Sequence, residues 1–167
     1  MKNSVLIIGL DGVPWDLLKP WIDEGKLPAF SKLLKKGSGG SLRTTIPPFS
    51  SSAWTSLFTG KNPGKHGIYE YTTDLGKLIN SKSIKVAKIW QILSHYKKRC
   101  GVINVIMTYP VEKVNGYMVS GVLTPQKEKI YSYPSKLMSV LKKHKYEIRI
   151  RYGKNRLLPN KKYIIER

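Results

Sequence analysis

The segments SSSAWTSLFTGKNPGKHGIYEY, residues 50–71, and IIGLDG, residues 7–12, decide the fold of this chain. In the first segment, apolar residues recur at helical spacing after three serines, and Gly60 and Pro63 end the pattern. In the second segment, an apolar run stops at the carboxylate of Asp11. Together they predict a strand that ends on an acidic side chain and a helix that begins on a hydroxyl.

Strands and helices alternate along the rest of the chain. Apolar runs predict buried strands, and amphipathic spacing predicts helices, with Pro20 interrupting the first helix. The predicted strands are 5–8, 41–45, 99–106, 117–120 and 146–152, the helices are 16–24, 28–36, 50–60, 86–96 and 134–144, and a loop is predicted at 123–133. This order predicts an α/β domain of three layers, α/β/α, with helices on both faces of a mostly parallel sheet.

The composition is that of a globular protein with a large excess of positive charge. A chain of 167 residues, 41% of them apolar, can bury a core, so we expect a single domain or one large piece of a bigger domain. Its net charge of +20 favours anionic partners such as phosphates, nucleotides, nucleic acid or acidic lipid headgroups. The cations form only short clusters, which favours a solvated surface. Tyrosines near the later clusters keep nucleic acid open, although no nucleic-acid motif supports it.

The cysteine count and the apolar runs bound the class of protein further. Cys100 is the only cysteine, which excludes an internal disulfide partner and a thiolate zinc cluster, and we expect it in a buried strand. The N-terminal apolar run is too short for a signal peptide, and no transmembrane segment is predicted. A cytoplasmic location is therefore expected.

Asp11 and Ser50 are the candidate site residues. Ligands of open α/β sheets bind beyond the carboxyl ends of strands, where Asp11 is predicted, but an ordinary turn or cap carboxylate is an alternative interpretation. Ser50 falls in the first turn of its helix, where unpaired N–H groups and the helix dipole stabilise a phosphate. Since a serine nucleophile needs a base or a cation and no histidine is near in sequence, we expect a metal to activate it. Alternatively, the serines at 50–52 only cap the helix.

Further marks give this region a resemblance to a known family. Ser50, the Thr59-Gly60 pair at the helix end, Pro63 and the following His66-Gly67 have the layout of the nucleophile helix of the alkaline phosphatase superfamily. With GLDG at 9–12 and LRTTIPP at 42–48, the chain resembles the type I phosphodiesterase and nucleotide pyrophosphatase branch from residue 2 to about residue 152.

The resemblance implies an alkaline phosphatase-like fold and metal-dependent hydrolysis of a small anionic phosphate ester. By resemblance, Asp11 matches the first metal-binding aspartate, and Ser50 matches a nucleophile that contacts the same metal. The family uses two divalent ions, usually zinc, with manganese as another option, and forms a covalent phospho-enzyme that water then opens.

The chain departs from the family pattern in its later residues. Tyr71 stands where the nucleotide pyrophosphatases have an asparagine that holds a phosphate oxygen, which weakens the nucleotide assignment. The family's remaining ligands are an Asp-His set and further histidines, whereas this chain has only His66, His95 and His144, for which structural or solvated roles are expected. Two ligands do not hold a catalytic zinc site. We therefore expect residues 1–167 to be an incomplete, N-terminal portion of a single hydrolase domain, a fragment with little or no turnover.

Two alternatives stay open on the sequence alone. A sulfatase or a phosphomonoesterase of the same superfamily is one alternative, and of these the sulfatase is disfavoured, because Ser52 and Trp54 stand where sulfatases usually have Pro and Arg. A basic anion-binding or nucleic-acid-binding module without catalysis would keep the fold. Such a module would show salt-dependent binding of single-stranded nucleic acid that zinc or manganese leaves unchanged.

Overall fold

The structure is a computed structural model that describes residues 4–73 and 75–148. The chain divides into two compact units, Met1–Thr44 and Thr45–Arg167. Each unit is described by itself below.

The first unit contains two short helices, α1 (Trp15–Asp23) and α2 (Pro28–Lys36). α2 begins on a proline, whose fixed φ suits the first helical position, and it has the bounds that the sequence predicts. Pro20 does not interrupt α1 as expected. Its missing N–H removes one helical hydrogen bond, and α1 ends only three residues later. The indole Nε1 of Trp15 donates to the Gly40 carbonyl at 2.9 Å and ties α1 to the segment after α2.

Residues 5–8 and 41–45 do not form the predicted strands. Residues 4–10 have no regular secondary structure, and Val5 and Ile8 are 88% and 73% exposed. A strand needs a neighbour to receive its backbone hydrogen bonds, and residues 4–44 contain no strand at all. The apolar pattern therefore gave a wrong prediction for both segments, and none of the residues 4–44 is buried.

The second unit carries the sheet and the core. Its elements are α3 (Ser50–Thr59), α4 (Pro63–His66), a 3-10 turn (Ser81–Ser83), α5 (Ile89–His95), β1 (Cys100–Val105), β2 (Gly116–Ser120), β3 (Ser132–Tyr133) and α6 (Leu137–Lys143). The strand order is β1-β2-β3, with β1 parallel to β2 and β3 antiparallel to β2. The mixed α/β class is confirmed, and the three-layer arrangement stays a prediction.

The sheet differs from the predicted one in three details. The short strand β3 occupies the end of the segment predicted as a loop at 123–133. Residues 146–148 are not in a strand, and the rest of the predicted strand at 146–152 lies outside the described residues. Cys100 begins β1 as expected but is half-buried.

One face of β1 and β2 forms the core together with two helices. Val102 and Met118 are paired across the ladder and are both buried, and the rings of Phe58 in α3 and Trp90 in α5 pack against each other with centroids 4.7 Å apart. All four belong to one apolar cluster. Alternation along the strands leaves Tyr117 on the opposite, exposed face. The core therefore fixes α3 and α5 on one side of the parallel pair.

The carboxyl ends of β1 and β2 approach each other so closely that only glycine fits at position 121. A Cβ there would lie 2.3 Å from the carbonyl oxygen of Val105. The Thr108 hydroxyl joins the two strand ends, because it accepts from Gly121 N at 3.0 Å and donates to the Val105 carbonyl at 2.6 Å. Ser120 and Thr124 continue this hydroxyl cluster, with 2.8 Å between their oxygens.

Replacing this glycine should destabilise the second unit. In Gly121→Ala the new methyl group meets backbone atoms that cannot rotate away, so we expect the free energy of unfolding to fall by about 2–3 kcal/mol. Gly40→Ala is the control, because a Cβ at position 40 would meet nothing within 4 Å. Urea unfolding followed by circular dichroism measures both variants, and equal stabilities would contradict the close approach of the two strand ends.

Candidate functional site

The helix α3 begins at Ser50 because the preceding segment is held extended. Phe49, the residue before the helix, has φ −91° and ψ 145°, and its carbonyl accepts from Ala53 N at 2.9 Å. The helix ends at Gly60, whose φ of 65° is left-handed. The N-cap residue is Phe49, which makes no side-chain capping hydrogen bond, so the serines at 50–52 do not occupy the capping position. N–H groups in the first turn therefore point out of the helix as donors.

The three serines at the start of α3 have different surroundings. Ser50 is half-buried, whereas Ser51 and Ser52 are fully buried. The Ser52 hydroxyl lies 2.8 Å from the Pro47 carbonyl and 2.9 Å from the Phe49 carbonyl, so it fixes the Pro-Pro segment against the helix. The Ser51 hydroxyl has no hydrogen-bond partner among the residues that the structure describes. A buried polar atom in that state costs about 1–3 kcal/mol.

His66 is a structural residue of the second unit. Its Nδ1 accepts from Ile68 N at 3.1 Å, so in the neutral ring the proton must be on Nε2, which donates to the Ser56 hydroxyl at 2.9 Å. Burial lowers the pKa of His66 below its ordinary value. Both nitrogens are thus used in holding α4 to α3. The other two histidines, His95 and His144, are exposed at the ends of α5 and α6.

Asp11 does not lie at a strand end. It is exposed and occupies a turn with Gly12, whose φ is 67°. Because residues 5–8 form no strand, the reason for placing Asp11 at the carboxyl edge of a sheet is not supported. Asp11 belongs to the first unit and Ser50 to the second.

The described residues do not make up a metal site. Nowhere in residues 4–73 and 75–148 do three or more His, Cys, Asp or Glu side chains come together as metal ligands would. A catalytic zinc ion needs three protein ligands. The residues therefore do not fit the two-ion centre that the sequence resemblance implies, and no catalytic step is assigned to a metal.

Tyr71 is half-buried and precedes a small turn closed by the bridge between Thr72 and Leu78. Its carbonyl accepts from Ile79 N at 3.0 Å. This backbone hydrogen bond holds Tyr71 against the far side of the turn.

Sequence reasoning missed Glu112, a carboxylate that accepts hydrogen bonds from three side chains of the second unit. Glu112 accepts from Lys88 Nζ at 3.0 Å, from Gln91 Nε2 at 2.6 Å and from Trp90 Nε1. Lys88 is itself buried, so this ion pair is shielded from water. The only sign of this cluster in the sequence was Lys88, a lysine directly before a helix that also contains the core residue Trp90. These hydrogen bonds hold the start of α5 against the segment between β1 and β2, and the Glu112 carboxylate has a structural role there.

Comparisons with known proteins give one match. The model of a family described as type I phosphodiesterase / nucleotide pyrophosphatase matches residues 5–155, a range that includes both Asp11 and Ser50. No curated protein matches the chain at a significant level, and neither does any solved structure. In the part of the chain that the structure describes, every helix is too short or too polar to cross a membrane.

The buried imidazole should make stability depend on pH. Because the folded-state pKa of His66 is lowered, the unfolded chain binds a proton at this residue more readily than the folded chain does. The contribution of neutral His66 to the free energy of unfolding is therefore complete above the ordinary histidine pKa of about 6.5. This contribution is lost as the pH falls from about 6.5 towards the lower folded-state pKa. Urea midpoints between about pH 7.5 and pH 5 measure the loss.

Two variants separate His66 from the other titrating groups. His66→Gln keeps a neutral donor and acceptor, so its midpoint should vary less with pH than that of the wild type. His95→Gln removes an exposed histidine and should keep the wild-type dependence. An unchanged pH dependence in His66→Gln would show that His66 is not buried in its neutral form.

Proposed function

This chain belongs to the type I phosphodiesterase/nucleotide pyrophosphatase family, and we propose on that basis that it binds phosphate esters at the start of α3, with Ser50 as the nucleophile. Membership of the family supports a phosphate-ester hydrolase-like function. The observation that carries the proposal is that the matched range includes Ser50, which is the first residue of a ten-residue helix without a side-chain cap.

The start of α3 is suited to an oxyanion. Uncapped N–H groups and the positive end of the helix dipole attract negative charge, and the first turn contains no acidic side chain that would compete. The net charge of +20 attracts such anions to the chain.

The proposed chemistry is nucleophilic displacement at phosphorus. The Ser50 oxygen forms the new bond to phosphorus while the departing ester oxygen takes up the hydroxyl proton. A water molecule then breaks the phosphoserine bond: its oxygen stays on the phosphate, and one of its protons restores the Ser50 hydroxyl. His66 does not act as the base, because one of its nitrogens accepts from the backbone and the other donates to Ser56.

Metal dependence enters the proposal through the family pattern alone. Asp11 as a ligand and two divalent ions, zinc or manganese, follow from the family pattern and need ligands beyond those that the described residues bring together. We therefore expect the 167-residue chain by itself to turn over little or nothing. A cytoplasmic location belongs to the same proposal.

A second candidate is an anion-binding module without catalysis. The lack of a three-ligand group among the described residues favours it, as does Tyr71 in place of the family's asparagine. Both candidates share the anion site on α3 and differ in whether Ser50 reacts.

Binding of inorganic phosphate should be detected at the start of α3. In a titration followed by amide NMR, we expect the largest shifts at residues 50–53, with chloride at equal ionic strength as the reference. Ser50→Asp places a carboxylate in the first turn and should weaken phosphate binding several-fold, whereas Ser139→Asp on α6 should not. Shifts spread evenly over the surface would contradict a site at this helix.

Hydrolysis of bis-p-nitrophenyl phosphate tests the nucleophile and the expected low turnover. With zinc or manganese added, we expect the rate of the 167-residue chain to stay close to that of buffer. Measurable hydrolysis that disappears in Ser50→Ala and persists in Ser139→Ala would support the nucleophile but contradict the expected inactivity. Hydrolysis that persists in Ser50→Ala would contradict the role of Ser50.

A further inference from the structure

An open groove lies at the end of the sheet where β1 and β2 begin. It has a volume of about 560 Å³. Its lining combines polar side chains with apolar and aromatic ones: Ser94, Lys113, Val114, Asn115, Gly116, Tyr133 and Pro134. No part of the proposed Ser50 site lines this groove.

The wall of the groove is held in place by hydrogen bonds within the second unit. The Ser94 hydroxyl accepts from Asn115 N at 2.8 Å and donates to the Trp90 carbonyl at 2.6 Å. The Asn115 carbonyl accepts from Cys100 N at 2.9 Å, at the start of β1. The groove is therefore formed before any ligand binds, which lowers the entropic cost of binding.

One cation, Lys113, lines the groove, and three more follow the groove wall along the chain. Lys97, Lys98 and Arg99 form the turn between α5 and β1, and Lys97 N donates to the carbonyl of Ser94 in the groove wall. None of these side chains, nor that of Lys113, forms an ion pair with a residue that the structure describes. The carboxylate next to Lys113 in sequence is that of Glu112, which is already paired with Lys88. Within residues 4–73 and 75–148, no carboxylate pairs with these four cations.

Exposed aromatic rings accompany these cations. The ring of Tyr117 lies over Gly101 on the open face of the sheet and is 44% exposed. Tyr96, directly before Lys97, is 68% exposed, and Tyr133 lines the groove itself. Aromatic side chains beside a positively charged groove are typical of proteins that bind single-stranded nucleic acid, because bases stack on the aromatic rings while cations contact the phosphates. A lipid surface would instead need a broad aliphatic face.

We propose that this basic groove, formed by the groove lining and by Lys97, Lys98 and Arg99, binds single-stranded nucleic acid. Lys98, Arg99 and Lys113 contact the phosphates, and Tyr117 offers a ring for a base. The proposal is independent of catalysis at Ser50, because no residue of the basic groove belongs to that site.

Fluorescence anisotropy of a labelled oligothymidylate of about 20 nucleotides, measured over a range of salt concentrations, tests the basic groove. In the triple variant Lys98→Gln, Arg99→Gln and Lys113→Gln, the slope of log K against log salt should shrink by about 2, since each lost phosphate contact removes about 0.7. The affinity at about 0.1 M salt should fall about tenfold or more.

A matched triple variant separates a site from general charge. Lys61→Gln, Lys77→Gln and Lys82→Gln remove the same charge from exposed positions elsewhere in the second unit and should leave the affinity within about twofold. Tyr117→Leu keeps an apolar cover on Gly101 but removes the ring, so the affinity should fall about fivefold or more with the salt slope unchanged. Thermal unfolding confirms that each variant is folded.

Three results would overturn the proposal. The first is a wild-type chain that does not bind the oligonucleotide, and the second is an equal loss of affinity in the two triple variants. The third is tighter binding to phosphatidylserine vesicles than to the oligonucleotide with the same dependence on Lys98 and Arg99, which would assign the surface to a membrane.

Discussion

The position of α3 depends on the buried hydrogen bond between His66 and Ser56. Because Ile68 N donates to one ring nitrogen, the other nitrogen must carry the proton, and the direction of the bond to Ser56 is fixed. This bond joins the middle of α3 to the last residue of α4, and burial favours the neutral imidazole by lowering its pKa. The hydroxyl of Thr55, also on the buried face, donates to the Ser51 carbonyl at 2.7 Å. Directional bonds as well as apolar contacts therefore set where Ser50 lies.

The apolar contacts of α3 connect it to the rest of the second unit. Phe58 packs on Trp90 of α5, and Trp90 donates its indole N–H to Glu112 before β2. The same helix α5 carries Ser94, which orients Asn115 in the wall of the basic groove. The start of α3 and the basic groove are thus different surfaces that are held by one core. A substitution in that core would disturb both, whereas the surface variants proposed above address them one at a time.

Local signals predicted the elements that local chemistry controls. Pro28 and Gly60 mark a helix start and a helix end correctly, and β1 and β2 lie within about one residue of the predicted strands. The strand predicted at 5–8 failed because a strand is defined by its neighbour, which an apolar pattern does not specify. Without that strand, the prediction that Asp11 lies at the carboxyl end of a strand was also wrong.

The sequence did not predict contacts between residues that lie far apart along the chain. Glu112 lies more than twenty residues from Lys88, Trp90 and Gln91, and the spacing gave no sign that their side chains meet. The basic groove likewise combines residues from three separate segments. For the candidate site, the motif predicted the helix that begins at Ser50, and the role of Ser50 itself stays a prediction. The motif did not identify a complete set of metal ligands, and the described residues contain no group of three or more His, Cys, Asp or Glu side chains that could form one.

The central claim is that the start of α3 presents Ser50 to a phosphate-sized anion. The most direct measurement is a crystal structure of the chain grown with orthovanadate, which resembles phosphate and adopts the five-coordinate geometry of phosphoryl transfer. We expect vanadium within bonding distance of the Ser50 oxygen, with its other oxygens accepting from N–H groups of the first turn. Vanadate bound only elsewhere, or a Ser50 hydroxyl closed off from it by other parts of the chain, would contradict the account.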